Sequence, residues 1–173
     1  MKLPKIEYKK ILYATDLSES GRVAFPYAAS IAHSYGAELT VFHVAKPPEF
    51  EQYLVGYIDE ELWKQIKTQD LDAVKDTLTQ RKRDDAAIKK SVDEFCKNTL
   101  DEYENHPYVV YDVKVAMGDP VTEIVREAES RDYDLVVVSK HSGGLIEEAL
   151  MGTTARRVIR HCNRPVLVVP VPE

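Results

Sequence analysis

The chain has 173 residues, enough for a core that folds unaided, and a single domain over residues 1–173 is expected. Its 23 basic and 29 acidic residues leave a net charge of −6, which repels nucleic acid and anionic lipid over most of the surface, so neither is an expected partner. No window approaches the roughly 18 apolar residues of a membrane-spanning helix, and Met1-Lys-Leu-Pro-Lys-Ile6 carries charge with no apolar run behind it, so the expected location is the cytoplasm, with Cys96 and Cys162 as free thiols on apolar helix faces.

Lys10-Ile-Leu-Tyr-Ala-Thr-Asp16 reads as a short buried strand ending in two polar residues, and residues 18–21 supply the turn and helix-start chemistry after it. Val23, Ala24, Tyr27, Ala28, Ile31, Ala32 and Tyr35 then recur at spacings of three and four as far as Gly36, which defines one buried helical stripe with a glycine stop. Pro26 inside that stripe predicts a kink or a late start. Residues 37–44 are rich in β-branched and aromatic side chains and form the second strand, closed by Lys46-Pro47-Pro48. An insert over residues 47–83 follows, with Tyr53, Tyr57 and Trp63 and then a charged, broken helical pattern through Leu71, Val74 and Leu78. It is expected to be partly helical and to cover a sheet edge, a partner surface or the site.

Ile88, Val92, Phe95, Cys96, Thr99, Leu100 and Tyr103 give a second amphipathic stripe, ended by His106-Pro107, and residues 108–115 alternate as a third, less buried strand. Gly118-Asp119-Pro120 opens a helix in the favoured way, with Asp as cap, Pro at the first helical position, and Val121, Ile124, Val125 and Ala128 facing inward. Residues 135–138 form the fourth strand. Ala155, Val158, Ile159 and Cys162 share one side of a last helix that Asn163-Arg-Pro165 ends, and residues 166–169 form the fifth strand. Strands alternating with helices imply parallel pairing, because each right-handed crossover lays its helix on a sheet face. The expected class is α/β: a single doubly wound, five-stranded parallel sheet, Rossmann-like, in the order 3-2-1-4-5 with helices on both faces. Ligands of such sheets sit outside the carboxyl ends of the strands where winding reverses. With strands one and four as neighbours there, Thr15 and Asp16 face residues 139–144 across one crevice. A helix starting at Gly152 leaves its first N–H groups unpaired beside that crevice and so suits an anion; an ordinary capped helix is the competing reading.

Lys10-Ile-Leu-Tyr-Ala-Thr-Asp-Leu-Ser18, Leu39-Thr-Val-Phe-His-Val44, Gly118-Asp-Pro120, Gly152-Thr-Thr154 and Asn163-Arg-Pro-Val-Leu-Val-Val169 together resemble the universal stress protein family, one branch of which binds ATP. The likeness spans nearly the whole chain outside the insert. The family's nucleotide motif is glycine, two residues, glycine, nine residues, glycine, then serine or threonine. Counting back from Gly152-Thr153 puts Ser142 and Ser139 at the two earlier glycines, and both are departures. Serine tolerates positive φ only at a steric cost, but its hydroxyl can donate to phosphate. By this resemblance Ala14, Thr15, Asp16 and Val44 surround adenine and ribose, while Ser139, Ser142, Gly152, Thr153 and Thr154 reach the phosphates. Lys140 and His141 add charge or a donor, or are a solvated loop face; Asp16 has the alternative reading of a turn carboxylate. The implied ligand is ATP or a related adenine nucleotide, with magnesium left open.

Ser142-Gly-Gly144 starts like a pyrophosphatase loop that Glu147 and Ala149 fail to complete, and no Walker, dinucleotide or nucleotidyl-transferase motif is present. The five histidines lack zinc-ligand spacing, and Ser139 or Ser142 beside His141 has no third orienting group for nucleophilic catalysis. The last strand, residues 166–171, lies at a sheet edge, which predicts a homodimer through it, as the resemblance also implies. The expected function is a regulatory protein of the stress response that senses a nucleotide and signals to a protein partner. The alternatives are a dimeric interaction module with a vestigial pocket and, behind it, a slow ATPase or phosphoryl-transfer enzyme.

Overall fold

The structure, a computed structural model, describes residues 5–45, 71–103, 108–140 and 152–171, with the backbone alone for 71–84. The described elements run β1 (Lys10–Thr15), α1 (Glu19–Tyr35), β2 (Glu38–Ala45), α2 (Leu71–Glu102), β3 (Tyr111–Met117), α3 (Pro120–Ser130), β4 (Leu135–Ser139), α4 (Thr153–His161) and β5 (Val166–Val169). They build one five-stranded parallel sheet in the order β3-β2-β1-β4-β5, as expected. No helix among the described residues is long and apolar enough to cross a membrane.

The central strand shows why the sheet needs two covered faces. Alternation sends Ile11 and Tyr13 into a core built with Ala24, Phe25 and Ala28 of α1 and Val92 and Cys96 of α2. Leu12 and Ala14 go the other way, to Val121, Ile124 and Ala128 of α3 and Ala155 and Val158 of α4. Strand β1 is therefore buried on both sides, whereas β3, an edge strand, is only partly covered. The start of β4 is clamped to the start of β1 by one side chain: Asp134 Oδ2 accepts from Lys9 N–H at 2.7 Å and Lys10 N–H at 2.9 Å, and Asp134 N–H donates to Lys10 O at 2.8 Å.

Local chemistry sets the helix ends. Ser18 caps α1 by accepting from Gly21 N–H, and Gly36, at φ 62°, closes it while Ala37 N–H reaches back to Ala32 O at 2.9 Å. Helix α1 starts at Glu19 and continues through Pro26, so the expected late start does not occur; losing one amide leaves Arg22 O without its usual i+4 donor but does not end the helix. Tyr27, Tyr35, Tyr103 and Ile159, all expected inside, stand 52%, 50%, 42% and 43% exposed, while Phe25 and Ala29 of α1 are fully buried. The reason in α1 is that its core contact is centred one residue away from the sequence stripe, along Gly21, Phe25, Ala28 and Ala32, where a glycine and two alanines bring the helix close to the sheet.

Strand β3 starts three residues later than expected, at Tyr111, because its ladder to β2 begins at Leu39↔Tyr111. The expected break near residue 83 is absent: α2 is one 32-residue helix from Leu71, about 48 Å at 1.5 Å per residue, so the end of the insert and the second stripe are one element. The earlier insert residues Tyr53, Tyr57 and Trp63 lie outside the described residues. Cys96 is buried and free, and burial pushes its thiol up to about 12. Cys162 is also free and caps the end of α4, half-buried against the α3/α4 core instead of within the helix.

Asp119 caps α3 as expected, its Oδ2 accepting from Thr122 N–H at 2.9 Å and Thr122 Oγ1 at 2.8 Å. These bonds, the backbone one foremost, hold its carboxyl below the ordinary carboxylate range. A native value below the unfolded one stabilises the fold at all pH above the unfolded pKa and ceases to do so as pH falls through the native value. Asp119→Ala is expected to cost about 1 kcal/mol at neutral pH. In urea melts taken at decreasing pH, the gap between wild type and variant should close as Asp119 becomes protonated.

Candidate functional site

The reversal of winding falls between β1 and β4, where Ala14 pairs with Val138 and the next residues, Thr15 and Ser139, end their strands side by side. Strand β2 adds its own tip beside them, with Thr15 opposite His43 and Val44 following. Alternation gives these tips two unlike faces. Ala14, Val44, Ala116 and Val138 lie with α3 and α4, and with Ala155 they make an apolar floor of mostly small side chains. Two helices begin at this carboxyl edge on that face: α3 at Asp119-Pro120 and α4 at Gly152-Thr153. Arg157, in the second turn of α4, is near enough to help lower the pKa of Asp119, which places the two starts close together.

Helix α4 has a strongly positive start. Its cap, Gly152, provides no side-chain oxygen for the first amides, no acidic residue occupies the first turn, and the first backbone return is Arg156 N–H to Gly152 O at 3.1 Å. Thr153 and Thr154 are exposed in that first turn, and Arg156 and Arg157 add charge beyond it. An anion resting there would meet first-turn N–H groups that have no intrahelical partner, two hydroxyls and the positive end of the helix. Lys140, half-buried after β4, is anchored through its own N–H to Val169 O at 2.7 Å.

The other face of the tips is structural. Thr15 is 7% exposed, and its Oγ1 accepts from Leu17 N–H at 3.0 Å, holding Leu17 at φ 62°. Tyr13 donates its hydroxyl to Gly21 O at 2.7 Å, and burial raises that phenol far above its ordinary value. Asp16 is exposed and makes the contacts of a turn carboxylate: its Oδ1 accepts from Ser18 N–H at 3.0 Å and from the Ser18 hydroxyl. Ala14, Thr15, Asp16, Val44, Ser139 and Lys140 thus gather at adjoining strand ends, and Gly152, Thr153 and Thr154 open the helix of the next crossover. His141 and Ser142 lie outside the described residues. Sequence reasoning passed over Gly21 and His43 here; the pairing Thr15↔His43 was the signal for His43, and it required the strand register.

A cavity of about 540 Å³ lies at the opposite end of the sheet, between the start of β2, the approach to β3 and Arg131 and Tyr133. There the strands begin and helix α1 ends, so it has none of the helix-start donors of the crevice. Lys114 and Tyr133 of its wall share a part-buried network in which Glu127 accepts from Lys114 at 2.5 Å and from the Tyr133 hydroxyl at 3.0 Å; burial above all pushes that phenol up to about 12.

Against known proteins, the family model described as the universal stress protein family matches residues 7–170. The chain belongs to the universal stress protein family. Universal stress protein MJ0577 of Methanocaldococcus jannaschii is 29% identical over 179 residues, covering 95% of this chain and 96% of its own. The solved structure of MJ0577 matches at a TM-score of 0.62 and 26% identity, over 97% of this chain and 99% of that one. A universal stress protein solved in complex with cAMP matches at 0.59 and 20% identity, over 95% and 98% of the two chains. One from Archaeoglobus fulgidus, solved in complex with dAMP, matches at 0.54 and 17%, over 95% and 99%. At 20% and 17% identity these last two likenesses establish the shared fold.

Within this family member, the seat of α1 on β1 rests on Gly21. A Cβ there would stand 2.5 Å from Thr15 Oγ1, closer than real side chains approach, and a tight 3.3 Å from the Tyr13 hydroxyl. Gly21→Ala should therefore destabilise the fold by about 1–3 kcal/mol in urea melts. Adding Thr15→Ala to that variant should cost less than Thr15→Ala does in wild type, since in that background it also removes the clash.

Proposed function

We propose that this protein binds an adenine nucleotide, ATP or a close relative, in the crevice between the tips of β1 and β4, and works as a dimeric regulatory protein of the stress response. The observation that carries the reading is the two-part surface on the α3/α4 face: an apolar floor of Ala14, Val44 and Val138, and the α4 start, where Gly152 leaves amides unserved by any cap side chain. A nucleotide divides the same way, into a flat apolar base and an anionic tail. Ala14, Ala116 and Ala155 keep the floor low enough to receive a ring, so the residues present fit such a group. Val44 and Ala14 would bound the base, Asp16 would accept from sugar hydroxyls, and Ser139, Lys140, Thr153, Thr154 and the first α4 amides would take the phosphates. The fold neighbours solved with cAMP and dAMP support an adenine ligand.

Ser139 and Ser142, standing where the family's motif has glycines, favour the second reading, a dimeric interaction module whose pocket is vestigial. Calorimetric titration separates the two. Nucleotide sensing requires saturating heat at one ATP or AMP per chain, with and without magnesium; a flat trace to millimolar ligand leaves the interaction module. In a binding protein, Asp16→Ala should weaken affinity about 10- to 100-fold, the range of a hydrogen bond to a charged group. Asp16→Asn, which keeps an acceptor for Ser18 N–H, separates the carboxylate's contact with ligand from its part in the turn.

The homodimer rests on the β5 edge. Val136 N–H donates to Pro165 O at 2.9 Å and Lys140 N–H to Val169 O at 2.7 Å, so 165, 167 and 169 turn their backbone groups toward β4. In a parallel ladder that leaves Val166 and Val168 facing outward along the edge. Val166, Leu167 and Val168 are only half-buried, and Ile159 of α4 is exposed close by in the chain. A second copy pairing along this edge would cover these groups. Val168→Pro removes one outward amide without touching the β4 ladder. Sedimentation equilibrium at micromolar concentration should show a wild-type dimer and a folded, monomeric variant; a wild-type monomer would remove the proposal.

A further inference from the structure

His43 makes a contact that connects the two faces of the strand tips. Its Nδ1 lies 2.9 Å from Thr15 O, and since a carbonyl has no proton to give, the ring must be the donor through Nδ1–H. Thr15 C=O and Asp16 N–H belong to one planar peptide. A ring that holds the carbonyl therefore also sets the direction of the Asp16 amide and the departure of its Cα from the strand.

The next bonds extend the restraint. Thr15 Oγ1 holds Leu17 N–H at 3.0 Å in the left-handed region, where a leucine stays only under restraint, and Asp16 Oδ1 holds Ser18 N–H at 3.0 Å. Asp16 thus sits between a peptide plane fixed by β2 and a turn fixed by α1. His43 is half-buried on the α1 side, and the following residue, Val44, lies on the α3/α4 side with the apolar floor. One dipeptide at the end of β2 supplies a clamp to one face and a wall to the other.

We propose that His43 is a positioning residue of the nucleotide site, its Nδ1–H holding the Thr15 carbonyl so that Asp16 is presented to the ligand in a fixed orientation. The role rests on the nucleotide reading above. It acts without contact between the imidazole and the ligand, and the requirement is for a donor at the Nδ1 position. Asparagine places an amide N–H near that position; leucine and phenylalanine place none.

The test compares wild type, His43→Asn, His43→Leu and His43→Phe by ATP titration calorimetry, by amide hydrogen exchange of Asp16, Leu17 and Ser18 in nucleotide-free protein, and by urea melts. Expected are about tenfold weaker ATP binding in both donor-free variants, corresponding to one lost hydrogen bond, and affinity within about threefold of wild type in His43→Asn. Exchange at the three amides should be faster in the donor-free variants and near wild type in His43→Asn. A merely structural histidine would lower stability in all three variants with no rescue by asparagine. Wild-type affinity in His43→Leu or His43→Phe, or an Asn variant no better than these, overturns the positioning role while leaving nucleotide binding intact. A wild type that gives no saturating heat overturns the nucleotide reading, and the positioning role with it.

Discussion

The pairing of β1 with β2 on one side and β4 on the other is the constraint on which the structure depends. Parallel neighbours require a crossover, and right-handed crossovers taken in opposite directions from β1 must put α1 and α2 on one face and α3 and α4 on the other. At the β1/β4 boundary the chain leaves the sheet toward opposite faces, so among the described residues no element runs across that gap. Asp134 reinforces the arrangement at the far end, where two bonds to its carboxylate and one from its backbone N–H hold the start of β4 against residues 9 and 10.

Burial of β1 on both faces divides its tip. On the α1 side, Tyr13, Thr15 and Gly21 are locked by hydrogen bonds and close contact, and the first turn of α1 is further tied to the end of α2 through Arg22 and Glu102 at 2.5 Å. On the α3/α4 side the tip is apolar and low, and both helices begin there. The crevice therefore has a stiff back on the α1 side, held by residues that lie away from the α3/α4 face. The long α2 helix reaches this back wall as well, since Phe95 packs near Gly21 and Tyr111 of β3 donates to Asp93 at 3.0 Å.

Membership of the universal stress protein family accounts for the sheet, the crossovers and the start of α4. It does not by itself decide how an individual chain treats nucleotide, because that depends on a few loop positions. Here Ser139 and Ser142 replace glycine, exchanging backbone freedom for hydroxyl donors. The positive end of α4 is the same under either reading, because its dipole belongs to the backbone and not to the loop sequence.

Periodicity and punctuation in the chain were sufficient for all five strands, for the Ser18, Gly36 and Asp119-Pro120 helix boundaries, and for placing Ala14 to Asp16 beside Ser139, since these depend on local propensity and on the handedness of crossovers. Other features needed the folded molecule. Tyr27 and Tyr35 fit the α1 stripe yet face outward, because the helix turns its small residues to the sheet to come close enough for Phe25 to pack on Tyr13. The break read before Ile88 is absent because charged side chains do not interrupt the backbone hydrogen bonds of a helix. Gly21 and His43 carried no signal in the chain at all: their roles come from a helix seated on a strand and from a register across two strands, distances between residues that are far apart until the sheet forms.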